Sequence, residues 1–331
     1  MKVLFAEKLY PQISESYVAA EIAFCLKAGV KVEVWSLKES TSTYPEQVKA
    51  HRGSFQEAVS RFKPDIIHVH FLDAIDTNLE SLVSAGIPVT IRGHSVDHSP
   101  DRLLKTLKNT WMKRAYLFPH FAKSFSEHPK VTVIPATYDP ALYYPETKAR
   151  SLVVRAGAAL PYKGLADFIR AASMVEGKTF VLIAGINVYF PDCLPDLRSL
   201  NESLGSPVDI RSDLPPAESA AIVRRAGIMF HTSDPSGHPF GMPVSTIEGM
   251  ATGCYTLIRG SEGASGYIAP HGSLYRSVDE AAALIRQTEK WTDERWVEVE
   301  KSTAEHAKQF SEDRWLPTMI KDWEAILAAS P

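Results

Sequence analysis

The chain has 331 residues, a formal net charge of −3 and a hydrophobic fraction of 45%. That length exceeds what one core usually holds, and the balance of charged and apolar residues excludes a nucleic-acid footprint and a disordered composition. Cys25, Cys193 and Cys254 are scattered, with no metal-ligand spacing, which suits a reducing compartment and argues against a disulfide framework or a zinc site.

The opening run from Met1 to Glu7 is too short to read as a signal peptide, and no run approaches the length that crosses a bilayer, so the expected location is the cytoplasm. In chain order, residues 3–6 read as a buried strand. An amphipathic helix over 15–28 follows and ends at Gly29, the residue type that best caps a helix C-terminus. Residues 31–35 return as a strand, and the runs 65–70 and 88–92 repeat the pattern, with helical segments over 77–85 and 101–111. Alternation puts His68 and His70 on one strand face, where histidines satisfied inside the fold are commoner than ligands. Continued to 116, the helix starting at 101 gathers Arg102, Lys105, Lys108, Lys113 and Arg114 beside Leu103, Leu104, Leu107 and Trp111. Such a face is either solvated, the favoured reading, or rests weakly on anionic lipid at the inner side of the membrane.

Residues 130–135 close the first half, and the polar stretch 145–150 is the predicted boundary. The cycle then restarts with a strand over 151–156, a helix over 165–175, strands over 180–184, 208–211, 228–231 and 255–258, and helices over 217–225 and 246–252. From 278 to 329 strand character is lost, and Trp291, Trp296, Trp315 and Trp323 are spaced to anchor helices. The expected class is α/β, with two Rossmann-like, doubly wound parallel-sheet domains over 1–147 and 148–310 and a helical tail over 311–331. Ligands in open parallel sheets bind beyond the carboxyl ends of the strands, so the cleft is expected between the domains.

Several stretches carry candidate chemistry. The run VRAGAALPYKG at 154–164 leads from a strand into a helix, so backbone N–H groups near Gly157 and the ammonium of Lys163 can meet a phosphate. Arg155 lies on the strand face of Gly157, either buried beneath the sheet, the simpler reading, or aiding Lys163. The run FGMPVSTIEGMATG at 240–253 closes on Glu248 in a small-residue helix, where a carboxylate can grip a ribose. The amides of Gly241, Met242, Val244 and Ser245 can cradle phosphate and sugar oxygens, with Thr246 beside them, and His238 is either a ligand to a hydroxyl or phosphate or a loop histidine. Past the strand 88–92, RGHSVD places His94 at the same kind of edge, where an imidazole can hold a hydroxyl or stabilise charge. Near the start, YPQISESYV at 10–18 offers Ser14 as a helix N-cap, with Glu15 and Ser16 beside it.

These stretches, in this order, resemble family 4 glycosyltransferases of the polysaccharide-assembling type. The run at 240–253 is similar to E-G-x-P-x-x-x-x-E-A-M-A-x-G, with Phe240 in place of the first Glu. The run at 154–164 is similar to G-R-L-x-x-x-K-G, with Ala158 in place of the arginine, and RGHSVD is similar to H-G-x-D. Residues 133–145 stand in place of V-I-P-N-G-V-D-x-x-x-F-x-P, and 10–17 in place of Y-P-x-x-S-E-T-F.

The resemblance implies the GT-B fold, with the C-terminal helix crossing back to the first domain. It also implies retaining transfer of a hexose-type sugar from a nucleotide donor, a UDP-sugar by preference, to a hydroxyl of a glycan, lipid-linked glycan or small molecule. His94, Lys163 and Glu248 are then catalytic. Arg155, Gly157, His238, Phe240, Gly241, Met242, Val244, Ser245 and Thr246 bind the donor, and Ser14, Glu15 and Ser16 line the acceptor side. No metal or cofactor is implied. The alternatives are a degenerate nucleotide-sugar-binding protein and a nucleotide-sugar epimerase of the same fold.

Overall fold

A computed structural model describes residues 1–12, 15–40, 46–72, 79–94, 100–125, 127–234, 242–260 and 266–329. Short aliphatic runs, buried on both faces at the centre of each sheet, form the strands, as parallel sheets covered by helices require. In the first half these are β1 (Lys2–Leu9), β2 (Lys31–Lys38), β3 (Ala50–His51), β4 (Ile66–His70), β5 (Val89–Arg92), β6 (Met112–Leu117) and β7 (Val131–Val133). The second half holds β8 (Ala149–Ala158), β9 (Thr179–Gly185), β10 (Val208–Ser212), β11 (Ala226–His231), β12 (Tyr255–Arg259) and β13 (Ser273–Tyr275).

The sheets run β3-β2-β1-β4-β5-β6-β7 and β10-β9-β8-β11-β12-β13, with neighbours parallel. In each, the order reverses direction at one place, between β1 and β4 and between β8 and β11. That switch point is where chain connections leave to opposite sides and open a crevice at the carboxyl ends of the strands.

The chain divides into two compact units, Met1–Pro135 with Glu312–Pro331, and Ala136–Ser311. The division lies upstream of the polar stretch at 145–150: Tyr138 bridges to Ser311, which keeps this segment with the second unit. In the first unit alternate residues of β1 serve two cores. Leu4 and Ala6 pack with Phe55, Ala58 and Val59 on one side, and Val3 and Phe5 with Leu316, Met319 and Trp323 on the other. The C-terminal helix Glu312–Ala328 is thus built into the first unit's core. In the second unit Val153 and Val154 divide in the same way between a larger and a smaller core. Trp323 and Trp296 are buried anchors, while Trp291 and Trp315 pack at the margins.

Some elements differ from the sequence expectation. The helix beginning at Pro100 stops at Leu107, and Met112–Leu117 is a strand between β5 and β7. Lys113 and Arg114 therefore belong to a sheet, and the long basic helical face does not form. Pairing on both edges of β6, with Met112, Ala115 and Leu117 in the core, outweighs the helical spacing of the basic residues. The helix Phe55–Phe62, which the periodicity had not singled out, begins at a capping box in which Ser54 accepts from Glu57 N at 3.1 Å and Glu57 accepts from Ser54 N at 3.2 Å. Among the described residues no helix is long and apolar enough to cross a membrane.

Trp323 is fully buried and its indole N–H donates to Thr90 Oγ1 at 3.1 Å. Trp323→Ala should destabilise the first unit by about 3–5 kcal/mol through the cavity and the lost bond. Hydrogen exchange checks this: amides of β1, β4 and β5 should exchange faster, with β8 and β11 unchanged.

Candidate functional site

At the switch point of the second unit, the alternation of β8 turns the Arg155 side chain inward, where it is buried to 1% exposure. Its guanidinium donates to Thr232 Oγ1 at 3.2 Å, to Thr232 O at 3.0 Å, to Ser245 Oγ at 3.4 Å and to Ala156 O. All these acceptors are neutral, and among the described residues Arg155 forms no salt bridge. Desolvation lowers its pKa to about 10. Gly157 makes room for the group, since a Cβ there would stand 3.0 Å from Nη1 of Arg155.

Lys163 ends the short 3-10 turn Pro161–Lys163, and Gly164 follows with φ +60. A Cβ at Gly164 would meet the Ser233 carbonyl carbon at 2.8 Å, so both the left-handed backbone and the close approach require glycine. Thr232 Oγ1 donates to Lys163 O at 3.0 Å, tying this turn to the end of β11. Thr232 is thereby shared by both cationic residues. Desolvation, and then the Arg155 charge, lower the half-buried Lys163 to about 7. His231 is buried with neither ring nitrogen hydrogen-bonded, and desolvation followed by Arg155 and Lys163 holds it well below the usual histidine range. It is therefore neutral.

Small residues shape the next helix, Val244–Ala251, whose first free N–H groups lie beside Ser245. Met242 is buried before it, Thr246 is buried with no hydrogen-bond partner at Oγ1, and Glu248 is 8% exposed in the helix interior. Burial raises Glu248 to about 7, against a hydrogen bond with Tyr143 that favours the carboxylate. The structure thus brings together Arg155, Gly157, Lys163 and Ser245, with Met242, Val244, Thr246 and Glu248 on or beside the same helix. His238, Phe240 and Gly241 lie outside the described residues. Thr232, His231 and Tyr143 escaped the sequence reading; the first two immediately follow or end a predicted strand, which is the signal that could have found them.

In the first unit His94 lies just beyond β5 and is 5% exposed. Its ring sits 4.5 Å from that of Tyr17 and 4.6 Å from that of Phe71, centroid to centroid. Nε2 of His94 is 3.0 Å from Nδ1 of His70. Behind them Glu21 projects from the helix Ser16–Lys27 to meet Arg92, His70 and His68 at 3.2, 3.2 and 3.6 Å. Glu21 is the missed residue here. It stands on the stripe formed by Val18, Ile22 and Cys25, and a lone acid on a buried helical face was its signal. Glu7, on β1, is fully buried with both carboxyl oxygens unbonded; burial, then Glu15 and Glu21, push it well above the usual carboxylate range, so it is protonated. Glu15 and Ser16 are half-buried at the start of the helix, and Ser14 lies outside the described residues.

No protein-family profile matches the chain, and no curated protein matches it in sequence. Solved structures do match in fold. Sucrose-phosphate synthase from Thermosynechococcus elongatus superposes with a TM-score of 0.78 at 14% identity, covering 100% of both chains. HepE of Anabaena in complex with UDP-glucose gives 0.76 at 16% identity over 100% of both chains. A glycosyltransferase from Rickettsia africae gives 0.73 at 13% identity over 99% of each. These likenesses, with the two parallel sheets, make the architecture the GT-B fold.

Proposed function

We propose that the chain is a retaining glycosyltransferase that moves a hexose-type sugar from a nucleoside-diphosphate donor, a UDP-sugar by preference, to a hydroxyl of a glycan, lipid-linked or small-molecule acceptor. The observation that carries this reading is the pairing of Arg155 and Lys163 at the switch point. Arg155 is buried among neutral acceptors with Lys163 close enough to feel its charge, and an anion placed there would be favoured by both cations. A diphosphate supplies that anion. Ala158, where the resemblance expects an arginine, is a buried apolar residue, and Arg155 brings a guanidinium to the neighbourhood of Lys163 in its stead. The GT-B fold, and the UDP-glucose bound by HepE, support the same assignment.

In this reading Lys163, Arg155 and the amides at the start of the helix Val244–Ala251 neutralise charge as the diphosphate leaves, with no metal assigned to the step. Glu248 accepts from the ribose hydroxyls, and His94 is assigned to the sugar. The bond from the anomeric carbon to the diphosphate breaks, and the acceptor oxygen attacks that carbon from the same face. The departing phosphate takes the acceptor's proton. The protein acts in the cytoplasm, with the first unit on the acceptor side and the second on the donor side.

A thermal-shift titration with UDP-, GDP-, dTDP- and ADP-sugars should give a saturable shift for one base, worth about 2.7 kcal/mol at a hundredfold excess over Kd. No shift with any of them rejects the reading. Binding without transfer or hydrolysis marks the degenerate alternative, and conversion of the sugar with no acceptor marks the epimerase. Lys163→Ala should lower kcat/KM by about 10²–10³, or about 2.7–4 kcal/mol, if it meets the leaving group; unchanged turnover removes Lys163 from the step.

Burial disfavours the charged form of both groups near pH 7, with opposite consequences. Glu248 contributes stability that is full below the unfolded value and lost as pH rises through about 7. Lys163 opposes folding below about 7, and that cost is relieved as pH rises towards the unfolded value. A bound diphosphate favours the ammonium, and ribose hydroxyls favour the carboxylate. Binding of UDP-glucose, whose diphosphate does not itself titrate there, should therefore release protons about one unit below this pH and take them up about one unit above it. Calorimetry in buffers of different ionisation enthalpy reads the sign; Lys163→Gln should abolish the uptake alone, and Glu248→Gln the release alone.

A further inference from the structure

Two histidines of β4 and one glutamate of the helix Ser16–Lys27 turn three donor atoms toward one another inside the first unit. Nε2 of His68 and Nε2 of His70 lie 3.6 and 3.2 Å from Oε2 of Glu21, and all three atoms lie within 4.8 Å of one another. Both imidazoles are fully buried, and Glu21 nearly so. Yet none of the three atoms has a hydrogen-bond partner among the described residues. Buried polar atoms are rarely left in this state, and an ion satisfies all three at once.

An imidazole can face a carboxylate in two ways. With its hydrogen on Nε2 it would donate to Oε2, and neither ring meets the geometry of that bond despite the short distances. With its hydrogen on Nδ1 it turns a lone pair toward a carboxylate oxygen, which a cation between them makes favourable. The spacing fits the second case. Ligands at about 2.0–2.1 Å from a tetrahedral zinc ion stand about 3.3 Å apart, between the two distances observed. A ring nitrogen aimed at the ion's position points beside the oxygen, which accounts for close contacts that are not hydrogen bonds.

The opposite sides of the rings are held as those of ligating histidines are. His68 Nδ1 lies 2.8 Å from Thr90 Oγ1 and His70 Nδ1 lies 3.0 Å from His94 Nε2, so each ring has an acceptor for a hydrogen on Nδ1 while Nε2 keeps its lone pair. Thr90 can accept from both His68 and Trp323, since a hydroxyl oxygen has two lone pairs. Glu21 divides its oxygens: Oε1 meets Arg92 Nε at 3.2 Å, and Oε2 is left to the histidines. The other nitrogens of Arg92 donate to Ile134 O at 3.2 Å and Pro135 O at 2.7 Å. Its charge opposes a second cation, and one carboxylate does not cancel both. Glu7 supplies another. One residue beyond the Ala6–Val69 pair of β1 and β4 it stands in register beside His70, fully buried, with neither oxygen hydrogen-bonded. Its proton would leave as the ion enters.

We propose that Glu21 Oε2, His68 Nε2 and His70 Nε2 form a site for one divalent transition-metal ion, zinc by preference, which fastens the helix Ser16–Lys27 to β4. Two imidazole nitrogens and one carboxylate oxygen suit zinc and disfavour calcium and magnesium, which take oxygen ligands. No step of the sugar transfer runs through this ion.

Metal analysis of the full chain, purified without chelator from zinc-supplemented cells and again after chelation and re-addition, should give one zinc per chain. Cobalt(II) in its place should show the intense visible bands of a tetrahedral site, and X-ray absorption at the zinc edge should show two imidazoles at about 2.0–2.1 Å. Magnesium and calcium should not compete. Thr90→Val, which touches no ligand atom, should weaken zinc by about 10–100-fold, and Glu21→Gln and His68→Gln, which remove ligands, by more. His128→Gln, outside the cluster, should leave the affinity unchanged. Absence of a stoichiometric ion in both preparations overturns the proposal and leaves the three atoms to a bridging water. An absorption spectrum without imidazole overturns it too, as does undiminished binding in Glu21→Gln and His68→Gln. Should those variants fail to fold by circular dichroism, the spectrum of the unaltered chain decides.

Discussion

A charge removed from water must find a partner, and each half of this chain concentrates its buried charge at the carboxyl ends of its central strands. The parallel order that reverses at β1 and β4, and again at β8 and β11, dictates that location. The two halves meet the constraint differently. In the first, Glu21 and Arg92 compensate each other, and the imidazoles of His68 and His70 complete the cluster. In the second, Arg155 is surrounded by hydroxyl and carbonyl oxygens, and its charge is felt by Lys163 and His231. One cluster pairs a carboxylate directly with a guanidinium; the other sets its guanidinium among neutral oxygens, with a lysine beside it.

That contrast explains why small residues gather where they do in the second unit. Gly157 leaves space for the guanidinium, Gly164 lets the lysine turn pass against Ser233, and Gly249 lies so close to Met229 that a Cβ would stand 2.7 Å from its side chain. The helix carrying Glu248 is therefore seated directly on β11. Thr232 links the parts, accepting from Arg155 and donating to the Lys163 carbonyl. A cationic cluster built this way is held in shape by backbone and hydroxyl contacts.

Much of this was legible in the chain because parallel strands buried on both faces leave short aliphatic runs. Lys163 was read at a strand-to-helix turn and Glu248 in a small-residue helix, and the structure puts them in those elements. What escaped reading was set by contacts distant in sequence. Met112–Leu117 has the spacing of a helix continuation, and only its neighbours on both edges make it a strand. Glu21 looks like an interruption of an apolar stripe until β4 and β5 bring His68, His70 and Arg92 to it. Arg155 could be placed on a strand face by alternation, but whether its guanidinium is idle or cationic support depends on Thr232 and Ser245, at separations of 77 and 90 residues.

The C-terminal helix extends this dependence on distant partners to the first unit. Trp323 packs edge-on against Phe5 and His68, with centroids 6.4 and 5.2 Å away, and donates to Thr90, 233 residues earlier. Hydrophobic anchoring alone would be served by phenylalanine, which fills similar space without a polar hydrogen. The indole N–H adds direction: it donates to Thr90 Oγ1, which also lies 2.8 Å from Nδ1 of His68. Trp323 thus has two separable roles, a ring that closes the core over β1 and a donor that ties the C-terminal helix to the polar side chains of β4 and β5. A helix added last in the chain thereby holds polar side chains of β4 and β5, beside the place where the strand order of the first sheet reverses.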